Sequence, residues 1–486
     1  MALEMIDQDD YVNIQITVPA HEVDKYPAKQ HVQNVAAKLG VEEGLIYLPG
    51  QQTRSLEDSD QDVPFRQLRY FYYLTGVDVP DAFVTYDIAK DLLTLYISII
   101  PPLQAIWFGK GLNIEQAESS YDVDVVKSAE TLKSDLTKWI GNHAGMPIYL
   151  LHAEQKPKLD YSLVADPFET ASLQYAMDTC RVIKDSSEIG LLRKANEIAC
   201  IAHTEVLKNI RHFSHERQVQ AIFEDACTSR GVTTQSYNVI AGSGPNAAIL
   251  HYMENNEPFG DRQLLLLDAG PDWNCYASDV TRTIPISGTW PSQEAKDIYD
   301  LVDKMQAEFI KGIKPGARYR DLNNLARCIM VEGLQKLGIF KSHHPTQTVI
   351  DSGATQIFSY HSYGHHIGLE VHDVSPRPIT GLSKSDQAMA CRQFRAVPAP
   401  HLMDAVLLEE NMVVTVEPGI YFSEIVLEEL VDDSLKDFID LEVARRYLPV
   451  GGVRIEDDIL VTKDGYENIT TAPKGEDALK IIRGEL

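Results

Sequence analysis

Two short stretches of the chain share a plan that limits how it can fold. Each is an apolar run that ends in an acid just before a glycine or Pro-Gly: Asp268 in "LLLLDAG" and Glu417 in "MVVTVEPG". After each run the chain turns and returns with a second acid, Asp279 in "CYASDVTRT" and Glu456 in "GGVRIEDDILV". All four acids are predicted to lie on strands beside apolar neighbours, so the sequence predicts two half-domains that each supply two carboxylates.

A weaker repeat of helical segments agrees with this duplication. The segments "EVLKNIRHFSHERQVQAIFEDACTSRG" from Glu205 and "EFIKGIKPGARYRDLNNLARCIMVEGLQKLG" from Glu308 have the same predicted plan. Each contains the end of one helix, a turn, and a second helix that ends at glycine. Amphipathic helices resemble each other by chance, so the helical repeat alone leaves duplication and coincidence both open.

The bulk properties indicate a globular protein of two domains. A chain of 486 residues exceeds one ordinary core, and its hydrophobic content of 44% is typical of folded proteins. A net charge of −27 argues against a nucleic-acid partner. The N-terminus lacks signal-peptide features and no apolar run reaches membrane-spanning length, so we expect a cytoplasmic protein that does not bind a membrane. The six scattered cysteines are predicted to be buried thiols of a reducing compartment.

The first third of the chain alternates helix and strand patterns. "AKQHVQNVAAKLG" predicts a helix that ends at Gly40, and "EGLIYLPG", "DAFVTYDI" and "DLLTLYISII" predict strands, which is typical of an α/β layer structure. Asp185 and Glu188 form a predicted capping box at the start of a long amphipathic helix. We therefore predict an N-terminal domain over residues 1–183 and a second domain over residues 184–486.

Four acids on apolar segments need a physical explanation, because ionised carboxylates are rarely buried without a partner. Packed together without cations they would repel one another, and some would have to bind protons. Divalent metal ions remove this conflict, and an oxygen-rich ligand set with an imidazole suits manganese, zinc or cobalt. Two such ions about 3.5–4 Å apart can share carboxylates and hold a water between them.

The stretch "HSYGHHIGLEVHD", residues 361–373, contains four of the 15 histidines and offers that imidazole. One interpretation makes one histidine a ligand and places the others around a substrate. A rival interpretation puts His361, His365 and His372 on one face of a zinc-binding helix. Gly364 and Gly368 make such a helix poor, and a third interpretation leaves the four as unrelated loop residues.

Together these motifs resemble a known family. "LLLLDAG", "ASDVTRT", "GHHIGLEVHD", "TVEPGIYF" and "GGVRIEDD" are similar to motifs of the proline-specific peptidases aminopeptidase P and prolidase, as are "SYNVIAGSGPNAAILHY" and "RYFYYLTGV". The resemblance covers nearly the whole chain. It implies an α/β (α+β) fold in which a creatinase-like N-terminal domain precedes a pita-bread catalytic domain with a pseudo-twofold internal repeat. It also implies a homodimer.

The family pattern implies two divalent metal ions per subunit, with manganese expected and zinc or cobalt as alternatives. The implied ligands are Asp268, Asp279, His365, Glu417 and Glu456. Asp279 and Glu456 would bridge the ions. Asp268 would bind one ion, while His365 and Glu417 would bind the other.

The resemblance also implies metal-assisted hydrolysis of peptide substrates that carry proline at the second position. Glu417 would carry a proton to the leaving nitrogen, and His372 would steady the scissile carbonyl. The remaining implied groups line the proline side or support the site: His251, His361, Tyr237 and Arg454. Of these, His361 is also counted with Glu417 and His372 as catalytic.

Some positions keep a structural alternative. Tyr237 could be a core tyrosine, Arg454 could simply neutralise the carboxylates, and we interpret His366 as structural.

Two further functions stay open beside Xaa-Pro aminopeptidase. A prolidase, which cuts only Xaa-Pro dipeptides, needs a cation for the proline carboxylate. The prolidases that the chain resembles carry basic residues just before the strand that ends at Glu417, but here residues 398–417 include no Lys or Arg, and His401 is their single histidine. Arg392 and Arg395 lie further upstream, and the acidic insertion from Glu424 to Asp440 resembles that of eukaryotic prolidases. The other alternative is a catalytically inactive interaction protein, against which the intact ligand set argues.

Overall fold

The computed structural model of the chain describes residues 25–159, 166–376, 379 and 406–486. The N-terminal part forms a six-stranded mixed sheet in the order β4-β3-β2-β1-β5-β6 with helices packed against it. Its elements are α1 (Ala28–Leu39), β1 (Leu45–Pro49), α2 (Arg69–Thr75), β2 (Phe83–Asp87), β3 (Leu92–Ile97), α3 (Ala105–Phe108), α4 (Ile114–Ser120), β4 (Val125–Ser128), α5 (Leu132–Asn142), β5 (Ile148–Tyr149), β6 (Phe168–Glu169) and α6 (Leu173–Val182).

The predicted elements of this part are confirmed. Helix α1 ends at Gly40, whose φ of 70° is left-handed and suits glycine at a helix C-terminus. The three predicted strands are β1, β2 and β3. Strand β2 pairs antiparallel with both β1 and β3, while β4 pairs parallel with β3 and β5 pairs parallel with β1. The expected α/β layer structure is therefore present.

The second part carries two helix pairs and several small sheets. Its elements are α7 (Ser186–Asn209), α8 (Glu216–Thr228), β7 (Thr234–Gln235), β8 (Ile240–Ser243), β9 (Leu264–Asp268), β10 (Pro271–Trp273), β11 (Tyr276–Ala277), β12 (Thr281–Pro285), α9 (Gln293–Lys311), α10 (Tyr319–Lys336), α11 (Thr346–Asp351), β13 (Val413–Val416), β14 (Gly419–Tyr421), α12 (Glu424–Glu429), α13 (Leu441–Arg445), β15 (Gly452–Arg454), β16 (Asp457–Val461), β17 (Tyr466–Asn468) and α14 (Gly475–Arg483).

The internal repeat is visible in the order of these elements. Helices α7 and α8 precede the antiparallel pair β9–β12, and helices α9 and α10 precede the antiparallel pair β13–β16. The register pairs Asp268 with Thr281 in the first half and Val416 with Asp457 in the second. The same end of each strand pair thus carries its acids, as the predicted pseudo-twofold plan requires.

The predicted capping box at the start of α7 is confirmed. The Asp185 carboxylate accepts the N–H of Glu188, and the Glu188 carboxylate accepts the N–H of Asp185. The boundary between residues 183 and 184 falls in the short link between α6 and α7. It stays a prediction, because one hydrophobic cluster joins Tyr73 of the first part to Leu192 and Tyr276 of the second.

The structure also bears on two predictions about the whole chain, which concern its cysteines and its membrane-spanning segments. The described cysteines are all free, but Cys180 and Cys328 are half-buried, so the prediction of uniformly buried thiols is wrong for these two. Cys391 lies outside the described residues. Among the helices that the structure describes, none is long and apolar enough to cross a membrane.

Candidate metal centre and active site

The four predicted acids converge where the strands of the two halves end. Asp268 is the last residue of β9, and Asp279 lies just before β12. Glu417 follows β13, and Glu456 precedes β16. Only Asp268 therefore lies within a strand, and the prediction that all four would do so is wrong. The other three occupy the breaks between consecutive strands, where side chains of both halves meet.

The carboxylates and one imidazole form two overlapping groups, each compact enough to hold a metal ion. Potential ligand atoms of Asp268, Asp279 and Glu456 lie within 4.8 Å of one another, as do those of His365, Glu417 and Glu456. His365 Nε2 lies 3.4 Å from Asp279 Oδ2 and 3.6 Å from Glu417 Oε1. Because Glu456 belongs to both groups, two ions held by them would share it.

The electrostatics of the cluster favour cations. Burial, and then the charges of Asp268 and Asp458, raises the pKa of Asp279 well above its ordinary value. Burial and the charge of Asp279 raise the pKa of Glu456 in the same way, and burial with the charge of Glu456 raises that of Glu417. Carboxyl groups in such surroundings hold protons unless positive charge replaces them.

Two polar atoms test whether the residues fit metal ions. Glu456 is 1% exposed, and its Oε1 has no hydrogen-bond partner among the residues that the structure describes. The Tyr237 hydroxyl lies 2.6 Å from Asp268 Oδ1 and 2.7 Å from Asp279 Oδ1, but it has only one proton to donate. A cation among these oxygens would give Glu456 Oε1 a partner, and it would also bind the carboxylate oxygen that receives no proton from Tyr237. The residues therefore fit the implied ions.

His365 is oriented as a ligand. Its Nδ1 donates to the carbonyl oxygen of His366 at 3.0 Å, which leaves the lone pair of Nε2 facing Asp279 and Glu417. Burial lowers the pKa of His365 to about 4, so the ring is neutral, as metal binding requires. Residues 361–373 form no helix, and the zinc-helix interpretation is therefore wrong.

The outer histidines occupy different surroundings. His361 donates from Nδ1 to the Ser362 carbonyl at 2.7 Å and accepts at Nε2 from the Tyr421 hydroxyl at 2.8 Å. His372 is exposed, and its ring centroid lies 4.2 Å from that of His365. His251 is also exposed, and its charge is one of the influences that lower the pKa of His361, after burial and Arg454.

His366, which we interpreted as structural, is 3% exposed and has no side-chain hydrogen bond within the described part of the chain.

The predicted supporting residues contact the acids directly. Arg454 is buried and donates from Nη2 to Asp268 Oδ2 at 2.6 Å, a contact that also neutralises the carboxylates. The Tyr237 hydroxyl lies within hydrogen-bonding distance of carboxylate oxygens of both Asp268 and Asp279.

The sequence reasoning missed three contacting residues. Tyr421 accepts from Arg454 at 2.9 Å, Thr281 donates to Glu456 at 2.7 Å, and Asp458 accepts the Asp279 N–H at 3.1 Å. Thr281 and Asp458 lie two residues beyond a predicted ligand, and the period of two in a strand could have found them.

The comparisons with known proteins agree with this geometry. The family described as metallopeptidase family M24 matches residues 190–463, and the aminopeptidase P N-terminal domain matches residues 28–149. A set of buried and half-buried carboxylates with one imidazole, carried by two repeated halves, fits the metal-dependent hydrolases to which the matching family belongs. The chain belongs to the metallopeptidase family M24, and the family resemblance seen in the sequence is confirmed.

Similar proteins cover almost the entire chain. A probable Xaa-Pro aminopeptidase of Emericella nidulans is 50% identical over 477 residues, which are 98% of this chain and 96% of that protein. One of Coccidioides posadasii is 50% identical over 475 residues, or 97% and 96% of the two chains. Zinc-substituted E. coli aminopeptidase P in complex with product has a TM-score of 0.77 at 26% identity, with 95% of this chain and 99% of that chain covered. The same enzyme with the inhibitor Pro-Leu has a TM-score of 0.76 at 25% identity, with the same coverage.

Proposed function

We propose that this chain is an Xaa-Pro aminopeptidase, which hydrolyses the bond between an N-terminal residue and a proline at the second position. The observation that carries the proposal is the pair of ligand groups that share Glu456. The fungal relatives with this name and the coverage of the E. coli enzyme support the choice of substrate.

Five residues would hold two divalent ions. Asp268 would bind the first ion, His365 and Glu417 would bind the second, and Asp279 and Glu456 would bridge them. When bound, the ions supply a polarised carbonyl and a water of lowered pKa. We propose manganese, with zinc or cobalt as alternatives, since all three accept carboxylates together with an imidazole.

The chain's own groups would orient the peptide and move protons. Glu417 would carry a proton toward the leaving proline nitrogen, and its Oε2 lies 3.6 Å from His361 Nδ1. His372 would donate to the scissile carbonyl oxygen as charge develops there. His251 and His361 would line the proline side of the site. The proline ring lacks an N–H, so its recognition depends on such side chains and not on backbone pairing.

Tyr237 and Arg454 would fix the carboxylate ligands. Their hydrogen bonds to Asp268 and Asp279 restrict how the carboxyl groups can rotate. Fixed ligands keep the site assembled between turnovers, which is the usual role of groups behind metal ligands.

A homodimer is part of the proposal. Four large apolar residues near α3 are between 71% and 81% exposed: Leu103, Ile106, Trp107 and Phe108. An exposed apolar cluster of this kind is typical of a protein interface, and a second copy of the chain is the proposed occupant. We also propose a cytoplasmic location, which the free thiols of the five described cysteines support.

Two sequence features bear on the prolidase alternative: the basic residues upstream of Glu417 and the acidic insertion. Arg392, Arg395 and His401 lie outside the described residues. The acidic insertion from Glu424 to Asp440 contains the short helix α12. An Xaa-Pro dipeptide compared with the matching Xaa-Pro-Xaa tripeptide separates the two activities.

That comparison is the test of the proposed function. The purified chain, loaded with Mn²⁺, should cleave the tripeptide and leave an Xaa-Ala-Xaa tripeptide intact. Turnover of the dipeptide alone would favour prolidase. A chain that binds no metal and cleaves neither peptide would instead be an inactive interaction protein.

A further inference from the structure

Backbone bonds to two strands anchor the start of the loop that carries His372: Ile367 donates its N–H to the Val413 carbonyl at 3.2 Å, and the Gly368 carbonyl accepts the Ala277 N–H at 2.8 Å. Within the loop itself backbone bonds are few. Asp373 donates its N–H to the carbonyl oxygen of His366 at 2.9 Å, and Gly368 donates to the carbonyl of Glu370 at 3.1 Å. No helix or strand runs through residues 367–373. A group that acts on a developing charge has to be oriented in advance, and beyond Gly368 the side chains of this loop contribute to that orientation.

Asp373, directly after His372, is held by two cations. Arg181 donates from Nη2 to Asp373 Oδ1 at 2.6 Å, and Lys184 donates from Nζ to Oδ2 at 3.1 Å. All three side chains are 1% exposed. Burial alone would raise the pKa of Asp373, but the charges of Arg181 and Lys184 hold it below its ordinary value. The carboxylate is thus ionised and fixed in a dry environment, where such contacts are strong.

The packing around this ion cluster is tight. A Cβ atom on Gly368 would overlap the Asp373 carboxylate and would lie 3.0 Å from Lys184 Cε. Little room is left for the loop to shift while the cluster is intact.

A second clamp holds the other flank of His372. The two Nη atoms of Arg66 donate to the two carboxylate oxygens of Glu370 at 3.2 and 2.6 Å. This pair is partly exposed, at 46% for Arg66 and 32% for Glu370, so it is weaker than the buried cluster. Arg66 precedes α2 and Arg181 lies in α6, so the cations come from the part of the chain before α7.

We propose that Arg66, Arg181 and Lys184 are positioning residues for His372. By holding Glu370 and Asp373 on either side, they place its imidazole beside His365, where it contacts the substrate carbonyl. The N-terminal part of the chain therefore takes part in catalysis through salt bridges, without touching the peptide. The catalytic consequence rests on the proposed function, whereas the positioning itself does not.

The first experiment is a double-mutant cycle. Arg181→Gln, His372→Ala and the double variant are compared with the wild type on an Xaa-Pro-Xaa tripeptide, with bound metal and thermal unfolding measured for each. Misplacement of a catalytic group by about 1 Å can cost 100-fold, so we expect Arg181→Gln to lower kcat/KM by about 10- to 100-fold. The double variant should then lose no more than His372→Ala alone. Losses that multiply, or a single variant within about twofold of the wild type, would overturn the proposal.

A milder variant covers the case in which Arg181→Gln does not fold. Arg66→Gln should lower kcat several-fold, whereas Arg193→Gln should leave it unchanged. Arg193 is a matched control, because it makes an equally exposed two-bond salt bridge with Glu467 away from the loop. Equal activity in the two variants contradicts the proposal.

A readout without substrate separates the positioning from the proposed function. The ring Cε1–H resonance of His372, identified by its loss in His372→Ala, should shift in Arg66→Gln and stay in place in Arg193→Gln. An unmoved resonance in both variants refutes the positioning. A wild type that cleaves no Xaa-Pro-Xaa peptide refutes only the proposed function.

Discussion

Tyr237→Phe tests the metal centre with the loss of a single oxygen atom. The hydroxyl bridges Asp268 and Asp279, but it donates only one proton, so the variant loses one hydrogen bond to a carboxylate. Such a bond contributes about 1.5–3 kcal/mol, and a factor of ten corresponds to about 1.4 kcal/mol. We therefore expect metal affinity to fall by about 10- to 150-fold, because the carboxyl group that loses the bond can then rotate away from the ligand position.

The assay is a calorimetric titration of the chelated protein with Mn²⁺, together with the recovery of peptidase activity at each metal concentration. Tyr70→Phe is the matched control, since the Tyr70 hydroxyl makes a 2.6 Å bond to the Asp178 carboxylate outside the site. The control should lose some stability and no metal affinity. If Tyr237→Phe binds Mn²⁺ within twofold of the wild type, the hydroxyl does not orient the ligands and the reasoning is wrong.

Three further outcomes follow from the site. Glu417→Gln should abolish turnover while the circular dichroism spectrum stays native, and near-normal activity would refute its role as proton carrier. Gly364→Ala should lower the unfolding free energy by about 3 kcal/mol or more in urea titrations, because its φ of 149° suits only glycine and a Cβ would overlap the Thr415 carbonyl. Because burial raises the pKa values of Asp279 and Glu456, the chelated protein should lose stability as the pH rises above about 4. Added Mn²⁺ should flatten this dependence in thermal unfolding between pH 5 and 8.

Much of the fold could be predicted because its signals are local. The helix that ends at Gly40 and the capping box of Asp185 depend on neighbours within a few residues, and both are present. The duplication could be predicted from the sequence because two apolar runs that each end in an acid are rare by chance. The exact limits of the strands were not predictable, since Asp279, Glu417 and Glu456 lie in breaks that only the packing of the halves determines.

The gathering of the acids could be predicted from the residue types in the motifs and from the order of the motifs along the chain. A carboxylate at the end of an apolar run has few stable explanations, and the motifs narrowed them to one family. The partners of those carboxylates are a different matter. Tyr421 contacts His361 from 60 residues away, and Arg181 contacts Asp373 from 192 residues away. No periodicity links such positions, so only the folded chain shows which residues orient the histidines.

The bonds between the two halves explain why four acids can share one buried place. Arg454 of the second half binds Asp268 of the first, Thr281 of the first half binds Glu456 of the second, and the Asp458 carboxylate accepts the Asp279 N–H. Each bond crosses the junction at a ligand or beside one. Like charges at this junction would push the halves apart, and the cross-half bonds together with cations offset that repulsion. We therefore expect a change that loosens the junction to weaken metal binding before it disturbs either half.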